Sequence, residues 1–127
     1  MVLVDTSVWI RSLAGQEPYV DGLGGLLEVD EAASHELVYG ELLVGDRGGR
    51  QKLLSAYERL QPCATVAHEE VVAFVRAHRL HGRGVGWIDI HLLASALAGQ
   101  MLIWTADTEL VRLAREFDVD YRPGRSG

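Results

Sequence analysis

The 127 residues carry 12 Lys and Arg against 18 Asp and Glu, a net charge of −6, and 48% of them are hydrophobic. That length is one ordinary domain, 1–127, with enough apolar residues for a packed core and too many for a disordered chain. No apolar run approaches the ~20 residues of a membrane span. The start, Met1-Val2-Leu3-Val4-Asp5, reads as no secretory leader, and the lone Cys63 leaves no internal disulfide, so a reducing, cytoplasmic setting is expected.

Val2-Leu3-Val4 reads as a buried strand. Asp5-Thr6-Ser7 offers N-cap chemistry for a helix over Val8 to Leu13, closed by Gly15. Tyr19 to Glu28 follows as a helix despite Gly22, Gly24 and Gly25, which weaken it. A short strand is expected within Glu31 to Ser34, then helices over His35 to Val44 and Gln51 to Leu60, the second stopped by Pro62. Cys63 follows that proline, has no base beside it and reads as a small apolar filler. Ala64-Thr65-Val66 is expected as a strand. His68 to Leu80 is an amphipathic helix ending at Gly82, and 82–86 is a glycine-rich loop. Ile88 to Ala98 is an apolar helix closed by Gly99. Met101 to Trp104 reads as a strand, Thr108 to Phe117 as the last helix, and 122–127 as a loose tail. Alternating strands and helices predict an α/β fold with a mainly parallel central sheet.

Two strand exits look alike. Leu3-Val4 runs into Asp5-Thr6, and Ile103-Trp104-Thr105-Ala106 runs into Asp107-Thr108. Parallel strands end on one edge, where open α/β folds bind ligands, so Asp5 and Asp107 should share a crevice. For Asp107 a simple helix N-cap stands as an equal reading; Asp5 has Thr6 and Ser7 as rival caps. Glu41 fills a gap in the apolar stripe of Leu37, Val38 and Leu42, and Asp89 shares a face with Leu92 and Leu93. A carboxylate in such a place is neutralised, ion-paired or bound to metal. Glu36 lies off the stripe and reads as solvated. Four converging acids would hold a hard divalent cation, Mg²⁺ or Mn²⁺. Such an ion activates water and neutralises charge on a phosphodiester. No Cys/His cluster for zinc, Walker A string or Gly-x-Ser-x-Gly elbow accompanies them. The net negative charge argues against a broad nucleic-acid surface, an objection that shrinks if the acids are metal ligands.

Four blocks in order resemble the PIN-domain ribonucleases of VapC type, the toxins of toxin–antitoxin pairs. They are Val4-Asp5-Thr6-Ser7-Val8-Trp9, Gly40-Glu41-Leu42-Leu43-Val44-Gly45, the stretch from Gly82 through Trp87-Ile88-Asp89-Ile90-His91 to Ala94, and Trp104-Thr105-Ala106-Asp107. The resemblance implies a three-layer α/β/α fold, metal ligation by Asp5, Glu41, Asp89 and Asp107, and supporting polar roles for Thr6 and Thr105. It also implies cleavage of RNA, a cognate VapB-like antitoxin and a homodimer. His35-Glu36 departs from the family, in which a proline often follows the His.

The basic run Arg76, His78, Arg79, His81 and Arg83 could contact RNA phosphates, Arg79 and Arg83 foremost; cations at a helix C-terminus are favoured without any ligand. His91 is read as a hydrogen-bonded structural residue, and Trp87 and Trp104 as core. Two other functions remain. A different metal-dependent phosphotransfer enzyme, such as an aspartyl-phosphate hydrolase, would want an acid at Ser7. A non-catalytic PIN-like binding module would not need all four acids.

Overall fold

The computed structural model describes residues 1–124. Four short strands, β1 (Val2–Val4), β2 (Ala32–Ser34), β3 (Gln61–Pro62) and β4 (Leu102–Trp104), form a parallel sheet in the order β3-β2-β1-β4. Leu3 lies opposite Ala33 on one side and Ile103 on the other. All three residues of β1 are buried. A central strand covered on both faces has no solvent side, so it reads as a continuous apolar run rather than an alternating one.

The described residues form seven helices: α1 (Thr6–Leu13), α2 (Tyr19–Glu28), α3 (Glu36–Val44), α4 (Gln51–Tyr57), α5 (His68–His78), α6 (Trp87–Ala98) and α7 (Thr108–Glu116). With the sheet they make the expected three-layer α/β/α arrangement. The doubtful helix, α2, has a reason for one of its glycines. A Cβ on Gly22 would sit 2.6 Å from the Trp104 indole, so only glycine lets that ring lie against the helix.

One strand falls elsewhere than expected. Ala64-Thr65-Val66 is irregular, and β3 is Gln61–Pro62. Register explains the shift: Ser34 pairs with Pro62, and its carbonyl accepts the Cys63 N–H at 2.7 Å. Pro62 has no N–H to give, which an edge strand tolerates. Ala64 and Thr65 are exposed, and only Val66 packs partly against the core. At the other end, residues 125–127 of the expected loose tail lie outside the described residues, while Arg122 bonds the Asp120 carboxylate at 2.7 Å.

A buried polar knot joins three helices. His35, 1% exposed, caps α3 by accepting the Leu37 N–H on Nδ1 at 3.1 Å. Its Nε2 is then the donor, 2.9 Å from Ser95 Oγ on α6. Its backbone N–H donates to the Tyr57 hydroxyl at the end of α4, 2.9 Å away. Burial holds the imidazole below its usual pKa; Glu36 opposes the shift and His91 adds to it. The neutral ring is therefore the folded form. Its contribution is present above the unfolded pKa of about 6.5 and is lost as pH falls through the lower folded value. His35→Asn keeps a cap but does not titrate, so its stability should fall less steeply than that of wild type over the window below about pH 6.5. Denaturant melts across that window measure this, and parallel curves would contradict it.

Candidate active site

β1 and β4 end side by side, with Val4 opposite Trp104 and the Asp5 N–H donating to the Trp104 carbonyl at 2.9 Å. The chain builds outward from β1 to β2 and β3, then returns to place β4 on the other side of β1. The carboxyl ends of β1 and β4 thus flank the switch point of the sheet, where loops diverge and leave a crevice. Asp5 and Asp107 both lie there, as their matching strand exits implied.

Their side chains do different things. Asp5 occupies the N-cap position of α1 but makes no capping bond. It is 4% exposed, and its Oδ2 accepts both the Ser7 hydroxyl at 2.7 Å and the Thr105 hydroxyl at 2.8 Å. Each hydroxyl oxygen also accepts a backbone N–H, Ser7 from Ala106 and Thr105 from Asp107, both at 3.0 Å. One carboxylate oxygen is thereby locked, and Oδ1 has no hydrogen bond among the described residues. Asp107 realises the capping reading left open for it. Its Oδ1 accepts the N–H groups of Glu109 and Leu110 at 2.9 and 3.0 Å. Ser7 is a site residue that sequence reasoning took only for a cap. Its position two residues after a strand-end Asp was the available signal.

Glu41 corrects an expectation. It does not complete a buried stripe: the core seam of α3 is Val38 and Leu42, four residues apart and fully enclosed, while Glu41 is exposed. One position round from Leu42, it stands on the rim of the crevice. Its Oε1 accepts the Thr6 hydroxyl at 2.6 Å, which links α3 to the first residue of α1.

Asp89, in the first turn of α6, is half-buried, and its carboxyl is pushed up to about 7. Burial is the main cause, followed by the charges of Asp5, Asp107 and Glu41. Each of the other three acids is thus close enough to disfavour a charge on Asp89. None of the four forms an ion pair among the described residues, so no salt bridge among those residues accounts for their placement. Nor do any three His, Cys, Asp or Glu side chains among the described residues stand close enough to cage an ion as they are. Mutually repelling carboxylates favour that open arrangement. The donor set is all oxygen, which fits a hard divalent cation rather than zinc.

The Thr6–Glu41 bond is exposed, so its loss should cost little stability and some positioning. Thr6→Val should lower kcat/KM for the protein's reaction by roughly three- to tenfold and leave the melting temperature within about 2 °C. A fully active variant would show that Glu41 needs no support.

The basic residues are more dispersed. Arg83 pairs with Glu116 on α7. Arg79 is exposed at the C-cap of α5, in a left-handed conformation with φ 54°. His91 packs edge-on against Trp87, ring centroids 4.8 Å apart, and burial and His68 lower its pKa. Of the two tryptophans expected in the core, Trp104 is there, 3% exposed, but Trp87 is 43% exposed. Trp87 is the first residue of α6, where the chain has just left the glycine loop, and only part of its ring is covered, by His68 and His91.

A PIN domain model matches residues 2–116. Ribonuclease VapC32 of Mycobacterium tuberculosis (strain CDC 1551 / Oshkosh) is 41% identical over 120 residues, 94% of each chain. Ribonuclease VapC32 of strain ATCC 25618 / H37Rv matches equally well. The match spans β1 through α7, every element that carries one of the four acids. On these matches the chain belongs to the PIN domain family, alongside its VapC-type members.

Proposed function

We propose that this protein is a divalent-metal-dependent endoribonuclease and the toxin of a toxin–antitoxin pair. The observation that carries the reading is Asp89, half-buried and pushed up to about 7 among Asp5, Glu41 and Asp107, with no cation paired to any of them among the described residues. Relatives 41% identical over nearly the whole chain bear the name ribonuclease. Asp5, Glu41, Asp89 and Asp107 would hold Mg²⁺, or Mn²⁺ in its place. A bound divalent ion supplies an activated water and neutralises charge on the phosphodiester.

The chain's own groups prepare for this. Ser7 and Thr105 fix Oδ2 of Asp5, so its second oxygen is left to the crevice. Asp107 gives one oxygen to capping α7 and keeps the other. Asp89 must lose its proton to ligate, so proton and metal compete for it, and the metal concentration needed for half-maximal cleavage should rise as pH falls below about 7. An aspartyl-phosphate mechanism is disfavoured because Ser7, where that chemistry needs an acid, gives its hydroxyl hydrogen to Asp5.

A VapB-like antitoxin and a second copy of the chain are the proposed protein partners. Leu43 and Val44, 50% and 86% exposed at the end of α3, support them as apolar surface in want of cover. Among the described residues no helix is long and apolar enough to cross a membrane.

Single-stranded RNA incubated with the purified protein should be cut in Mg²⁺ or Mn²⁺ and left intact in excess EDTA. Expression alone should arrest growth, and co-expression of the neighbouring antitoxin gene should relieve the arrest. Cleavage that persists under full chelation would refute the metal dependence, and unimpaired growth at high expression would refute the toxin role.

A further inference from the structure

A concavity of about 150 Å³ is lined by residues that include Glu36, Leu37, Thr65, Trp87, Ile88 and His91. It shares Glu36, Leu37 and Ile88 as walls with a larger groove that is also lined by Glu41. Ile88 stands next to Asp89 in α6. A chain held at the acids could therefore place one residue in this hollow.

The walls have an uneven chemistry. Trp87, 43% exposed, offers an aromatic surface, steadied by His91 and His68 packed edge-on at 4.8 and 5.3 Å. Leu37 and Ile88 are apolar. Glu36 and Thr65 add a carboxylate and a hydroxyl, both exposed. An aromatic ring beside a carboxylate is the combination that reads an unpaired base: the ring stacks on its face, and hydrogen-bonding groups meet its edge. A carboxylate only accepts hydrogen bonds. Guanine offers it neighbouring N–H groups on one edge, whereas uracil offers only one.

We propose that this hollow is a subsite for one unpaired nucleobase of the RNA substrate, stacked on Trp87 and selected by Glu36 for guanine over uracil. The subsite rests on the ribonuclease reading and adds a base preference to it. Protein occupants, such as an antitoxin side chain, are the rival.

The test uses two short single-stranded oligoribonucleotides, all-uridine and with one guanosine substituted, cleaved by the full chain in Mn²⁺. Wild type should favour the guanosine-bearing strand by roughly tenfold in kcat/KM. Glu36→Gln should reduce that preference to within about threefold while all-uridine cleavage changes little. Trp87→Ala should raise KM for the guanosine strand about tenfold with kcat nearly unchanged, and Trp87→Phe should restore most of the loss. Trp9 and Trp104 are 4% and 3% exposed. The guanosine strand added in EDTA should therefore quench mainly Trp87, and Trp87→Phe should remove the quenching. Absence of cleavage by wild type would sink the ribonuclease reading itself. Cleavage with no base preference, a preference that survives Glu36→Gln, or an unchanged KM in Trp87→Ala would overturn the subsite alone. So would quenching by an antitoxin peptide and not by RNA.

Discussion

Asp89→Asn should abolish RNA cleavage, by about a thousandfold or more, and at the same time leave the metal-free protein as stable as wild type or more so. The two effects have one cause. Asp89 is pushed up to about 7 by burial and by three neighbouring acids. A carboxyl whose folded pKa is raised contributes stability that is present below its unfolded value, near 3.9, and lost as pH rises through about 7. The amide never ionises, so the variant escapes that loss. Its advantage over wild type should widen between pH 5 and pH 8. Added Mn²⁺ should raise the melting temperature of wild type much more than that of the variant, because binding to the folded state stabilises it by mass action. Thermal melts at the two pH values, with and without Mn²⁺, decide the matter. A drop of several degrees in the metal-free variant at pH 8 would mean that Asp89 has a stabilising partner after all.

Removing Asp5 should destroy cleavage to a similar extent but move stability the other way. Asp5 is buried, and its Oδ2 receives two hydroxyl hydrogens. Asp5→Ala deprives Ser7 and Thr105 of their acceptor in an enclosed place, at a cost of about 1–3 kcal/mol. Asp5→Asn offers an amide oxygen to the same hydroxyls and should recover most of that stability while remaining inactive. Guanidinium titrations give the stability and an RNA assay in Mn²⁺ the activity. Equal stability of the alanine and asparagine variants would show that the hydroxyl pair does not depend on Asp5. The contrast between the two acids is physical: one is held by donors, the other is crowded by charges.

The sequence by itself determined the elements and their order, because hydrophobic period, helix caps and glycine stops are local signals. The run Val2-Leu3-Val4, the helix from Tyr19 to Glu28 and the paired Asp exits are all legible in it, and the family resemblance added the α/β/α layering and a metal-ligand role for the four acids. Tertiary structure alone decided what depended on partners far along the chain. Ser34 and the edge position of Pro62 placed β3 at Gln61–Pro62 rather than at 64–66. The packing of α3 put Glu41 on a rim, tied to a hydroxyl 35 residues away. Thr105, 100 residues from Asp5, turned its carboxylate away from capping, whereas Asp107 was left free to cap. Trp87 looked like core by composition and is exposed, since burial depends on which element happens to cover a residue. Spacing can bring acids to one edge of a sheet, but which oxygen each keeps free is set by contacts that no local pattern encodes.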